Sequence, residues 1–281
     1  MGRVRRFLNV GVVGACLLWG CSEDLPGPDD QARVGVTAPS WVGDTGGSKA
    51  SGSAMDCAAP VWWGSDLLVV DTLEAVSFCS RANAVEGSLY LYGDVTTSLD
   101  CLCLVEGDLV VSGVQVENVV FPNLSRVGGS LVAQNLPELE GLVLPSLVEL
   151  GGEMSLDTLA SLREVHLEQL PSIGGMLSVR EAPVLELLRL PSVARAGSLE
   201  LEALGLSYLD GLSSFEAVDG IFGIVGLSGL SDLDGLGQVS SIGGDLLLLE
   251  NPGLSADVVE GFIERVGRAN IGGEIVTDHL D

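Results

Sequence analysis

Asp157, Arg180 and Glu202 are the residues of this chain best spaced to do chemistry. They lie 23 and 22 positions apart, and the sequence around each repeats at that interval. A stacked fold sets the three on successive turns, about 4.8 Å apart, with the two carboxylates about 9–10 Å from each other. That separation is near the upper limit for an inverting glycosidase, in which one acid protonates the leaving group and the other activates water. The same side chains also make an ion-pair ladder, because opposite charges on adjacent strands stabilise one another. The ladder is the expected role; glycan cleavage by Asp157 and Glu202 about Arg180 is the alternative.

No other grouping in the sequence matches a catalytic pattern. Gly226-Leu227-Ser228-Gly229-Leu230 lacks the spacing of a nucleophile elbow. There is no phosphate-binding loop and no calcium loop, and Asp232 and Asp234 before Gly235 read as turn residues. His166 sits between the inward-facing Val165 and Leu167, points outward, and has no evident acid or nucleophile to meet. His279 lies in the tail. Cys101-Leu102-Cys103 lacks the two-residue gap of most zinc sites, and both histidines are distant from it. The chain therefore reads as a non-enzyme with no metal and no cofactor.

The elements that position these residues are repeats. Gly87, Gly107, Gly129, Gly152, Gly175, Gly197, Gly220 and Gly244 follow one another at intervals of 20 to 24 residues, with Gly64 and Gly273 at the edges of the array. A period this regular marks a stacked solenoid. Counting from each glycine, positions +2 and +4 are apolar, as in Leu131 and Ala133, or Leu177 and Val179. That alternation is a strand with one buried face. Further apolar positions follow at +7 and +10, then corners such as Phe121-Pro122-Asn123-Leu124 and Leu144-Pro145-Ser146-Leu147. Proline suits an edge or corner, and the glycines are expected to supply the tight corner before each strand.

Only Asn135 and Asn251 are placed to serve an asparagine ladder, and the connecting segments carry Pro and Gly rather than a helical period. The reading is an all-β chain: a right-handed parallel β-helix of about eight turns of 22–24 residues. A helix from Ser255 to Arg268 closes its C-terminal end, with Ser255 as N-cap, Val258, Val259, Phe262, Ile263 and Val266 as its apolar stripe, and a last strand at Gly273 to Thr277.

The outward +5 column then holds Tyr92, Ser112, Gln134, Asp157, Arg180, Glu202, Val225 and Leu249. Tyr90, Val110 and Val132 share its early face. Aromatic and apolar groups on an exposed sheet suit contact with a protein or a carbohydrate. Tyr90, Tyr92, Gln134, Asp157, Arg180 and Glu202 are the candidate ligand-binding residues.

The array resembles the receptor L domain, a solenoid related to leucine-rich repeats. Its Gly-x-Leu-x-apolar strand starts and Leu-x-x-apolar corners cover residues 64 to 250. The resemblance implies ligand contact through the outward sheet.

The flanks tell where the chain works. Arg3, Arg5 and Arg6 precede an apolar run that ends in Leu18-Trp19-Gly20-Cys21. This resembles a bacterial lipobox and implies a signal peptide over 1–20, acylation of Cys21 and a membrane anchor. Residues 21–56, rich in Ser, Gly, Pro and Asp, read as a flexible tether. Residues 57–281 read as the solenoid with its two caps. The localisation implied is an exported lipoprotein of the outer membrane or cell surface of a Gram-negative bacterium.

Net charge is −26, and removing three arginines and no acid takes it to −29. Such a surface repels phosphate backbones, so nucleic acid is excluded as a partner. A hydrophobic fraction of 47% argues for a folded core beneath that acidic coat. Beyond Cys21, Cys57, Cys79, Cys101 and Cys103 make an even set that suggests two disulfides in an N-terminal cap. Cys79 takes the inward position held later by Phe121 and Leu144, and is placed to tie down Cys57. Pairing of Cys101 with Cys103, or of Cys79 with Cys101 across adjacent turns, are alternatives left open. The expected function is recognition of a protein or glycan; a glycan-cleaving enzyme and a structural or adhesive envelope protein are the alternatives.

Overall fold

The computed structural model describes residues 57–94 and 99–278. The expected signal peptide over 1–20, the whole of the expected tether over 21–56 with Cys21, and His279 lie outside the described residues. The chain is a parallel β-solenoid of about eight turns with two helices. Its main sheet has ten strands in file: Leu67–Asp71, Leu89–Asp94, Leu109–Ser112, Leu131–Gln134, Met154–Asp157, Ser172–Ala182, Arg195–Leu204, Phe222–Val225, Leu246–Leu249 and Ile275–Thr277. Leu131, Met154, Leu177, Leu199, Phe222 and Leu246 stand in one register column, and Ala133, Leu156, Val179, Leu201, Ile224 and Leu248 in the next. All are buried, so the two-residue alternation feeds one continuous core.

Two further sheets complete each turn. One begins Trp62–Trp63, Ala84–Val85, Leu104–Val105, Arg126–Val127 and Glu149–Leu150; in the next two turns it runs on into the long strands Ser172–Ala182 and Arg195–Leu204. The other stacks Asn118–Val120, Gly141–Val143, Glu164–His166 and Leu187–Arg189. Beyond them the 3-10 turns Asp210–Leu212 and Asp234–Leu236 take the place of a strand, and Leu190 N–H donates to Gly211 O at 2.8 Å. The expectation of connections without helical character therefore holds for the four turns of that sheet and fails for these two and for the first turn, where Thr72–Cys79 is helical.

The repeated glycines do a different job from the one their spacing suggests. None of the eight repeat glycines, Gly87, Gly107, Gly129, Gly152, Gly175, Gly197, Gly220 and Gly244, has a positive φ. What each meets is the preceding turn: a Cβ on Gly107 would lie 2.7 Å from Gly87 C, on Gly129 2.8 Å from Gly107 C, and on Gly152 2.8 Å from Gly129 C. The amides of Gly107, Gly129, Gly152 and Gly175 each donate to the glycine carbonyl one turn earlier at 2.8–2.9 Å. The left-handed corner falls instead six residues later, at Gly93, Gly113, Asn135, Thr158, Glu181, Ala203, Gly226 and Glu250, with φ between 52° and 75°. Beside the glycines runs a ladder of short polar side chains. Asp66 Oδ1 accepts from Ser88 N (2.8 Å), Ser88 Oγ from Asp108 N (3.0 Å) and Asp108 Oδ1 from Ser130 N (2.7 Å). Each side chain satisfies an amide that the bend leaves without a strand partner.

Both ends are capped. Helix α1, Thr72–Cys79, starts at Asp71, whose side chain accepts from Glu74 N, and buries Ala75 and Phe78 over the first turn. No helical period in the sequence marks it. Helix α2, Ala256–Val266, has Ser255 as N-cap and buries Val259, Phe262, Ile263 and Val266 of the predicted stripe, with Val258 half-buried at its edge. Phe262 packs against Phe222 with ring centroids 5.6 Å apart. The last strand is Ile275–Thr277. Gly261 sits mid-helix with nothing within 4 Å of an added Cβ. Gly261→Ala is expected to raise stability by about 0.5–1 kcal/mol through lower unfolded-state entropy, read as a higher midpoint in thermal unfolding.

The disulfides are Cys57–Cys103 and Cys79–Cys101. The adjacent-turn alternative holds, and Cys101 does not pair with Cys103. Cys79 is only half-buried, because Phe78 takes the inward position expected for it; Cys57 is tied to Cys103 instead. Buried asparagines serve the two ends. Asn83 Oδ1 accepts from Val61 N at 2.6 Å, and Asn251 bridges Leu227 N (2.9 Å) and Ile224 O (2.8 Å). Asn135 occupies a left-handed corner and is exposed, so it does not share that role.

Candidate functional site

The outward face of the main sheet carries the six candidate residues. Leu68, Tyr90, Val110 and Val132 stand opposite one another in register on four successive strands. The same column continues as Ser155, Ser178, Glu200, Gly223 and Leu247. The neighbouring column runs Ser112, Gln134, Asp157, Arg180, Glu202, Val225 and Leu249, as the spacing predicts. Tyr92 is exposed at the start of this face, beside a register shift between the first two strands. The site is therefore a sheet face in three zones: apolar and aromatic, then charged, then apolar again.

In the charged zone Arg180 Nη2 lies 3.7 Å from Asp157 Oδ2. Among the described residues Glu202 forms no ion pair at that range, so the ladder is complete on one side only. Burial raises the Glu202 carboxyl above its ordinary value; Arg180 opposes that, while Glu200, Glu181 and Asp157 add to it. Ser178 Oγ donates to Glu200 Oε2 (3.3 Å), and Thr158 Oγ1 stands 3.2 Å from Glu181 Oε2 and 3.4 Å from Asp157 Oδ1. A raised carboxyl pKa makes the charged form costly in the folded state. The cost is present above the folded pKa and vanishes below the unfolded value, near 4.5. Glu202→Gln is therefore expected to be more stable than wild type at neutral pH and equal to it below pH 4.5. Urea midpoints measured across that range read the difference.

The other arginines of the central turns decide what kind of group Arg180 belongs to. Arg126 meets Glu106 (3.2 Å) and Glu149 (3.4 Å), Arg163 meets Glu186 (3.3 Å), Arg189 meets Glu168 (2.7 Å) and Arg195 meets Asp219 (2.9 Å). Every partner is one turn away. Arg180 with Asp157 follows the same rule, which makes it one rung of a general pattern rather than a special constellation.

His166 points outward as expected, but it does meet acids: Nε2 is 3.2 Å from Glu164 Oε2 and Nδ1 is 3.9 Å from Glu168 Oε1. Glu168 in turn holds Arg189. The signal was available in the sequence, since Glu164 lies two residues before His166 and shares its outward side. Among the described residues no group of His, Cys, Asp and Glu is arranged to hold a metal ion, and no helix is long and apolar enough to cross a membrane. The fold and this face define a parallel β-solenoid protein with a patterned outer sheet. No protein-family model, curated protein or solved structure matches the chain.

Proposed function

We propose that this protein is an exported lipoprotein, anchored through Cys21, whose solenoid is a non-catalytic recognition module for a protein or a glycan. The observation that carries the reading is the outward main sheet, where in-register Leu68, Tyr90, Val110 and Val132 lead into Gln134, Asp157, Arg180 and Glu202. Apolar and aromatic area gives contact energy, and the adjoining polar column gives orientation. The likeness of the repeat to the receptor L domain supports the same face. The lipobox-like Leu18 to Cys21 and the apolar run before it support export and anchoring.

Two features favour recognition over the alternatives. The arginine pairing rule accounts for Arg180 without substrate. End-to-end growth of a structural rod meets an obstacle at Ser65, which stands in the column where Gly87 and its successors need glycine for close stacking. A further turn placed before it in that register would press backbone against the serine Cβ.

The test is a glycan array and a surface pulldown with the secreted chain carrying Cys21→Ser, with released sugar assayed on any glycan hit. Tyr90→Ala and Arg180→Ala are each expected to weaken a specific hit by roughly tenfold or more while leaving the thermal midpoint in place. Unchanged binding by both variants removes this face from consideration, and sugar release lost in Asp157→Asn replaces recognition with catalysis.

A further inference from the structure

We infer that the N-terminal end of the solenoid rests on a neutral lipid surface; the inference depends on the anchored-lipoprotein reading above. The first turn comprises Trp62–Trp63, Leu67–Asp71 and α1, which are the terminal strands of two sheets and the helix between them. It exposes Val61, Trp62, Leu68, Val70, Leu73 and Val76, with Leu73 at 78% and Val76 at 57%. Leu73 and Val76 are three apart on one helix face, while Ala75 and Phe78 turn to the core. The single charge of α1, Glu74, is turned back to accept from Val70 N at 2.8 Å.

The opposite end is built the other way. Helix α2 exposes Asp257, Glu260, Glu264 and Arg265, and among the described residues no large apolar side chain after Ile221 is exposed. A terminal repeat needs a polar outer face to remain soluble. The N-terminal cap, where Asp66, Glu74 and Arg81 are exposed as well, sets several large apolar side chains in water and the C-terminal cap sets none, so the former needs a cover.

The path of the chain says which cover. Cys57 is fixed to Cys103 in the early turns, and Cys21 precedes it by 36 positions. The anchor of that reading is thus joined through the sequence to the early turns. Trp62 suits the boundary between headgroup and acyl chain. The net charge of −26 argues against an anionic lipid surface and against a second copy of the chain in that place.

The experiment uses the full chain, exported and purified, bound to phosphatidylethanolamine–phosphatidylcholine vesicles with or without brominated acyl chains. The Trp62 signal is taken as the difference between wild type and Trp62→Phe. It is expected to lose roughly half its intensity with brominated lipid, as for a group about 5–10 Å into the boundary. Leu73→Glu with Val76→Glu should still float with the vesicles and lose the quenching. A wild-type chain that floats unquenched overturns this inference alone, and so does one that is unquenched with the mass of two copies. A chain that does not float overturns the anchor and the inference together.

Discussion

Gly129→Val is expected to cost about 3 kcal/mol or more, the upper part of the range for forcing extra carbons into a packed interior. A Cβ at this position lies 2.2 Å from Asp108 Oδ1, 2.8 Å from Gly107 C and 2.9 Å from Asp108 N. Two of the three obstacles are backbone, which cannot rotate away. The third is the carboxylate that accepts from Ser130 N at 2.7 Å. Relieving the clash therefore separates adjacent turns or breaks the polar ladder. Both also disturb the Gly129 N to Gly107 O bond of 2.9 Å. The control is Gly113, where an added Cβ meets nothing within 4 Å and φ is +62°. Asparagine tolerates that backbone, so Gly113→Asn should change stability by under about 0.5 kcal/mol. Urea midpoints for the pair measure whether close approach or backbone freedom governs the glycine period. Equal losses at both sites would mean the stacking argument is wrong.

That contrast also shows why the sequence yielded the period and misassigned its cause. Recurrence of glycine every 20 to 24 residues is visible without knowing the reason for it. Two physical demands select glycine, left-handed backbone and close approach, and spacing does not separate them. The true left-handed column was hidden because Thr158, Glu181, Ala203 and Glu250 occupy half of it. Such residues carry a cost of roughly 1–2 kcal/mol each in that conformation, tolerated where the neighbouring turns fix the backbone. Helix α1 escaped notice for a related reason. Eight residues are too few to show a period, although Asp71 followed three residues later by Glu74 is a recognisable start signal. Helix α2, with eleven residues and a clear stripe, was legible.

The outward columns were readable because strand alternation is rigid. Once the inward positions are fixed, Asp157, Arg180 and Glu202 can fall only where they do. Their meaning was less readable. Pairing of Arg126, Arg163, Arg189 and Arg195 with acids one turn away occurs along the two further sheets and, at Arg195, where the first of them runs on into a long strand, and only the assembled solenoid shows the common rule. The cysteine pairing likewise required the fold. Cys101 and Cys103 are near in sequence, but their partners are set by which turn lies against each.

Removing the disulfides should be felt strongly and in one place. Cys57–Cys103 spans 46 residues and Cys79–Cys101 spans 22. On loop-closure entropy alone these correspond to about 4 and about 3 kcal/mol. In a globular core such losses spread over the whole molecule. In a solenoid each turn touches only its neighbours, so the loss falls on the turns that the bridges join. Both bridges lie within the first turns, where α1 and the Trp62–Trp63 strand cover the core. Cys57→Ser with Cys103→Ala, and separately Cys79→Ala with Cys101→Ala, should raise amide exchange sharply in α1, Leu67–Asp71 and Leu89–Asp94. Protection from Leu131–Gln134 onward should stay near wild type. The first pair should open this end further, since Cys57 is the point at which the chain is pinned to the stack. Exchange that rises evenly from Leu67 to Leu249 would show that the turns unfold as one unit, and the nearest-neighbour account of this fold would have to be given up.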